Sequence, residues 1–148
     1  MTKIIIFGER PGPNTDPARP LFPHTTTGAA ARLMKMLGMS QEEYLNETIR
    51  YNVVDDHTTP TTAPEVRERM KKRLEKLRCV NEARFIVLGR DAAMALPQNF
   101  RYQPFGYAHK DVLIIPHPSG RNRYYNSYAN KLFIEQSLRE FLGRFQTT

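Results

Sequence analysis

The chain predicts an α/β fold, a single-domain three-layer α/β/α sandwich around a central, mainly parallel four-stranded sheet. Four short segments rich in β-branched residues, Lys3 to Phe7, Ile49 to Val54, Arg84 to Leu88 and Val112 to Ile115, alternate with stretches of helical spacing. Their apolar runs are unbroken, as suits strands covered on both faces. The 148 residues suffice for a core and contain no repeat, low-complexity tract or linker, so residues 1–148 read as one domain.

Each element has its own signal. The first strand, Lys3-Ile4-Ile5-Ile6-Phe7, meets Gly8 at once and is too short for a signal-peptide core or a membrane span. A first helix is predicted from about Gly28 to Leu37, capped by Thr26 or Thr27, with Leu33, Met36 and Leu37 on one face. The second takes Thr62 as N-cap with Glu65 three residues on, then Val66, Met70, Leu74 and Leu77 at helical spacing. Its other face, Arg67, Arg69, Lys71, Lys72, Arg73 and Lys76, reads as a solvated face, with a phosphate contact as the alternative. A short helix is predicted from about Asp91 to Leu96, and a last one from about Ser127 to Leu142 that buries Ile134, Leu138, Phe141 and Leu142.

The balance of 22 basic against 15 acidic residues leaves a net charge of +7, which favours a polyanionic partner without identifying one. Cys79 is the only cysteine, which excludes an internal disulfide and any four-cysteine metal site within one chain. An intracellular monomer, cytoplasmic or nucleoid, without a membrane partner, is expected.

In a parallel sheet, ligands bind where loops leave the carboxyl ends of the strands. Three segments occupy such ends: Gly8 to Phe22, Asn52 to Thr62 and His117 to Asn126. The first is a Gly/Pro-rich turn with the carboxylates Glu9 and Asp16. It lacks a Walker lysine and the Gly-x-Gly-x-x-Gly spacing, which argues against a nucleotide phosphate loop. Asn52 ends a strand, with an amide able both to donate to and accept from a base edge. Asp55-Asp56-His57 has the residue types of a metal cluster, but consecutive residues seldom converge on one ion, so no metal is expected. In the third segment His117 stands between Pro116 and Pro118 and opens into the basic, aromatic run Gly120-Arg121-Asn122-Arg123-Tyr124-Tyr125-Asn126.

Taken in order, these segments resemble the uracil-DNA glycosylase superfamily over most of the chain. Gly8-Glu9-Arg10-Pro11-Gly12 is similar to the first motif of the family 4 and family 5 enzymes, with Asp16 where family 4 has its acidic residue and Pro20-Leu21-Phe22 near its base-stacking Pro-Phe. Tyr51-Asn52-Val53-Val54 with Thr59-Pro60-Thr61-Thr62 resembles the second strand and the Pro-rich loop of family 4. Arg84 to Ala93 resembles the third strand and the helix after it. His117-Pro118-Ser119 resembles the second motif, and Gly120-Arg121-Asn122 is similar to the single-strand-selective branch.

The resemblance implies a monofunctional DNA glycosylase that flips uracil or a related pyrimidine out of single- or double-stranded DNA and hydrolyses its bond to the sugar. It implies His117 as donor to the departing base, Asp16 with Glu9 as carboxylates near the sugar, and Phe22, Asn52 and Gly12 around the base. Ser119, Arg121, Arg123, Tyr124 and Lys131 would contact DNA, with Arg121 or Tyr124 filling the space left by the base. There are departures. Family 4 holds an iron–sulfur cluster on four cysteines, so no cofactor is expected here. Arg10 stands where family 1 has a catalytic Asp and the mismatch-specific branch an Asn. Gly12 stands where family 1 has the tyrosine that excludes 5-methyl groups. A non-catalytic or repurposed member that binds a flipped or free base or nucleotide is the alternative, followed by a simple basic nucleic-acid-binding protein.

Overall fold

The computed structural model describes residues 3–11, 18–23, 28–80, 82–97, 106–109, 111–119 and 122–143. Among them β1 (Lys3–Gly8), β2 (Thr48–Asn52), β3 (Ala83–Leu88), β4 (Gly106–His109) and β5 (Val112–Ile115) form one sheet in the order β2-β1-β3-β5-β4. All neighbours are parallel except β4, which runs antiparallel to β5. Ile4, Ile5 and Ile6 of β1 register with Arg84, Phe85 and Ile86 of β3, so the apolar runs lie side by side. The edge strand β2 is more polar, Thr-Ile-Arg-Tyr-Asn, in keeping with an outer side that has no strand partner among the described residues.

Helices cover both faces. On one, Val66, Met70 and Leu74 of α3 (Pro64–Val80) and Ala92 and Ala93 of α4 (Gly89–Ala93) form a core with Ile5, Phe7, Phe85, Val87, Val112 and Ile114. On the other, α1 (Ala29–Met36), α2 (Gln41–Glu47) and α5 (Tyr128–Phe141) bring Leu33, Met36, Tyr44, Ile134, Leu138 and Phe141 onto Ile6, Ile86, Leu88, Leu113 and Ile115. The result is the three-layer α/β/α sandwich that the alternation of strands and helices predicts.

All four predicted strands form, and a fifth joins them: β4 carries no long apolar run and pairs only at the edge beside β5. Several helix boundaries are corrected. A helix that the hydrophobic spacing does not announce, α2, starts on a capping box in which the Ser40 hydroxyl accepts from the Glu43 N–H and the Glu43 carboxylate accepts from the Ser40 N–H. The N-cap of α1 is Gly28, not Thr26 or Thr27, and it caps through backbone alone. Thr62 is not the cap of α3, which begins at Pro64: proline suits the first helical position, and the Ala63 carbonyl takes the first bonds, from Val66 and Arg67. The short helix starts at Gly89 rather than Asp91 and ends at Ala93. Ser127 caps α5 through its hydroxyl, in keeping with the predicted start of the last helix.

The basic side of α3 is not simply a solvated face. Arg67 donates to the Met94 carbonyl at 3.0 Å and Arg69 to the Val53 carbonyl at 2.9 Å, tying the helix to the C-terminal end of α4 and to the loop after β2. Arg73 lies over the Tyr51 ring at 4.3 Å. Lys71, Lys72 and Lys76 remain exposed. Among the described residues no helix is long and apolar enough to cross a membrane.

Candidate functional site

The carboxyl ends of β1, β2, β3 and β5 lie at one end of the sheet, as parallel pairing requires. The β1–β2 ladder runs one step beyond the strands: Val53 N–H donates to the Gly8 carbonyl and Val54 N–H to that of Glu9. Two glycines let the ends approach. A Cβ on Gly8 would lie 3.0 Å from Asn52 Oδ1 and 3.3 Å from a methyl of Leu21, and a Cβ on Gly89, whose φ is +87°, would lie 3.1 Å from His117 Cβ. Larger residues there would push the Asn52 and His117 side chains aside.

His117 lines an open cavity of about 540 Å³ together with Glu9, Thr61, Thr62, Asp91 and Met94. Its Nδ1 accepts a hydrogen bond from the Ser119 N–H at 3.2 Å, and its carbonyl accepts from Asn122 Nδ2 at 3.0 Å. Burial pushes the imidazole pKa below the ordinary 6.5, while the nearby Glu9 charge pulls it up to a smaller extent. A neutral ring that accepts at Nδ1 carries its proton at Nε2, so it can donate a hydrogen bond from that atom.

Glu9 is not a lone carboxylate, since Arg10 Nε bonds its Oε2 at 2.6 Å. The rest of the Arg10 fork turns to the β2–α3 loop, with Nη1 on the Asp56 carbonyl at 3.3 Å and Nη2 on that of Thr59 at 3.0 Å. Asp56 in turn accepts from the Thr58 and Thr59 backbone N–H groups and the Thr59 hydroxyl, led by the hydroxyl, and its pKa falls to about 2. The Asp55-Asp56-His57 run is thus a loop whose middle carboxylate caps a turn. Among the described residues no three His, Cys, Asp or Glu groups come together to hold a metal.

Asn52 is buried at 7 % exposure, beside Gly8 and Leu21. Leu21 has a left-handed backbone, φ +53°, and its carbonyl accepts from the hydroxyl of the fully buried Tyr44 at 2.9 Å. Phe22 does not line the His117 cavity. Its ring lies 3.6 Å from the Arg19 guanidinium, and it borders a second hollow against Arg50.

Among the DNA-contact candidates, Ser119 serves His117 through its backbone N–H, Arg123 and Lys131 are exposed, and Tyr124 is half-buried, edge-on to Tyr125. Gly12, Asp16 and Arg121 lie outside the described residues. Sequence reasoning missed Thr61, Asp91, Asn122 and Leu21. Asp91 was findable by applying the strand-end rule to β3 as well as to the other three parallel strands.

The iron–sulfur cluster of family 4 does not fit these residues. It needs four thiolates, whereas Cys79 is alone and exposed near the end of α3, at the opposite end of the sheet from His117, and Asp55 is exposed after Val53-Val54.

Comparison with known families gives a match to the Uracil DNA glycosylase superfamily over residues 1–142. Neither a curated protein nor a solved structure matches the chain significantly. With the match spanning nearly the whole α/β/α sandwich, the chain belongs to the uracil-DNA glycosylase superfamily and has its glycosylase-type fold.

Proposed function

We propose that the protein is a monofunctional DNA glycosylase that hydrolyses the bond between deoxyribose and uracil or a related pyrimidine. The observation that carries this reading is His117, a half-buried imidazole that accepts at Nδ1 and lines a cavity shared with Glu9. As the C1′–N bond breaks, its electron pair leaves with the base. The Nε2–H of a neutral imidazole would stabilise the negative charge that develops on the base oxygen. Positive charge develops on the sugar, and a carboxylate, Asp16 with Glu9 as helper, would stabilise it and orient the water that bonds to C1′. The proton released by that water finally resides on the expelled base. Asn52 would read the pyrimidine edge, with Gly12 beside the base, while Phe22, turned to Arg19 and the second hollow, is not given the stacking role. Ser119, Arg121, Arg123, Tyr124 and Lys131 would hold the flanking strand.

Excision from uracil-containing single- and double-stranded oligonucleotides, with alkali cleavage to reveal abasic sites, tests the proposal. Turnover that is strongly slowed in His117→Ala supports it, and no turnover on any pyrimidine refutes it. One observation favours a second reading, a repurposed member that binds a base or nucleotide without cleaving: the Glu9–Arg10 ion pair partly neutralises the cavity carboxylate whose charge acts on His117. Saturable binding of free uracil without turnover is its signature.

A further inference from the structure

A second hollow, about 450 Å³, opens beside the free edge of β2 and is lined by Arg19, Phe22, Leu45, Thr48 and Arg50 among others. It is separate from the His117 cavity and shares no lining residue with it. Its two cations are held in different ways. Arg19 is exposed, with its guanidinium carbon over the Phe22 ring at 3.6 Å from the centroid. Arg50 is half-buried, and its three hydrogen bonds all leave from Nη1: to the Tyr44 carbonyl at 3.2 Å, the Thr48 carbonyl at 2.9 Å and the Thr48 hydroxyl at 2.6 Å.

That arrangement fixes the guanidinium by one corner and leaves the opposite edge without a protein acceptor. Arg50 Nε is the one buried side-chain polar atom among the described residues that lacks a hydrogen-bond partner. An unmet buried donor carries a desolvation cost, and a charged one more. Arginine forks match the spacing of phosphate oxygens, and stacking on an aromatic ring pre-orients the fork while leaving its edges able to donate.

We propose that this hollow is a phosphate-binding site, in which Arg19 and the Nη2 end of Arg50 grip one phosphate group of a nucleic-acid strand. The shared chemistry is a phosphate attached to a nucleoside, so a free nucleotide is the other possible source. The site does not depend on glycosylase activity, and it is tested on DNA without uracil.

The experiment measures fluorescence anisotropy of a uracil-free single-stranded oligonucleotide over a range of salt concentrations with wild type, Arg19→Ala and Arg50→Lys. Removing a cation that neutralises one phosphate lowers the slope of log affinity against log salt by about 0.7 for a single strand. The expected result is a several-fold loss of affinity with that drop in slope for Arg19→Ala, and a weaker affinity for Arg50→Lys, which keeps the charge but loses the fork. Arg50 also braces Thr48, so thermal unfolding checks that its variant folds; Arg19→Ala removes only an exposed side chain and keeps the test decisive if the other fails. Titration with thymidine 5′-monophosphate forms the second arm. Saturable binding that disappears in Arg19→Ala, with an unchanged oligonucleotide slope, keeps the phosphate site and assigns it to a free nucleotide. Wild-type affinity and slope in Arg19→Ala, together with no Arg19-dependent binding of thymidine 5′-monophosphate, overturns the proposal.

Discussion

At the end of β5, hydrogen bonds reach His117 and its neighbours from several sides, whereas at the end of β2 the Asn52 amide and an aliphatic side chain from a loop, Leu21, both lie against Gly8. Asn122 is the hub of the first region. Its Nδ2 donates to the His117 carbonyl, its Oδ1 accepts from the Tyr124 N–H, and its own N–H donates to the Ser119 carbonyl. The Tyr125 hydroxyl holds the Pro116 carbonyl, and Asn130 holds that of Tyr124. In the second region Leu21 packs beside Gly8 and Asn52, anchored by one bond from Tyr44. Directional bonds fix an orientation, but apolar contacts fix only a volume. The group proposed to act on the leaving base is thus set in advance, while the group proposed to read the base shares the space over Gly8 with a side chain that can be exchanged.

The largest effect should come from breaking the rigid half. If His117 donates to the departing base, His117→Ala should slow excision by about 10²–10³-fold, the range for removal of one oxyanion donor. The same residue has a pH signature. Its folded pKa lies below the ordinary 6.5, so between the two values the unfolded chain binds the extra proton. The stability it supports is therefore complete above 6.5 and is lost as pH falls toward the folded value. Protonation at Nδ1 would also turn the acceptor of the Ser119 N–H into a donor. Denaturant unfolding followed down through this window should show a steeper loss for wild type than for His117→Ala; identical slopes would mean that the imidazole is not held neutral.

The same contrast explains what was legible in the sequence. Strands β1, β3 and β5 announce themselves because a sheet covered on both faces demands continuous apolar runs, and Ile4-Ile5-Ile6-Phe7 or Val112-Leu113-Ile114-Ile115 has few other uses. His117 was legible because the end of such a strand is a fixed point. The short edge strand β4 was not, since Gly106-Tyr107-Ala108-His109 has no run to recognise and pairs on one side only. Side chains whose roles depend on a loop path were also hidden. Nothing in Pro20-Leu21-Phe22 says that Leu21 takes a left-handed backbone and lies against Gly8 while Phe22 turns toward Arg19. Nor does spacing show that Arg10 bonds both Glu9 and the loop of Asp56 and Thr59.

A smaller effect is expected from opening the other half. A leucine in the left-handed region costs roughly 1–2 kcal/mol, which glycine avoids, and a half-buried leucine side chain contributes about 1 kcal/mol of apolar burial. The two nearly offset, so Leu21→Gly should fold with almost unchanged stability while clearing space beside Asn52. Where the base enters against Asn52, processing of 5-hydroxymethyluracil relative to uracil should rise roughly ten-fold, the order of a methylene-sized change in a pocket. Competition between the two oligonucleotides reads this ratio directly. An unchanged ratio would put the wall that limits base size elsewhere than at Leu21.

The smallest effect tests whether the two halves communicate through Arg10. Glu9 lines the His117 cavity and raises the imidazole pKa, but its charge is partly cancelled by the Arg10 guanidinium at 2.6 Å. Removing that guanidinium leaves the carboxylate uncompensated, so an unopposed negative charge then favours the imidazolium. In Arg10→Ala the His117 midpoint, followed by NMR, should therefore move up toward the ordinary value, and the acid loss of stability due to His117 should shrink with it. Arg10 also ties down the carbonyls of Asp56 and Thr59, so the shift must be separated from simple loosening of that loop. Arg10→Lys makes the separation, because an ammonium keeps the charge beside Glu9 but cannot span three acceptors as a fork does. A midpoint raised in the alanine variant and nearly wild-type in the lysine variant identifies charge as the link. Equal midpoints in all three proteins would show that Arg10 braces the β2–α3 loop and does nothing to the titration of His117.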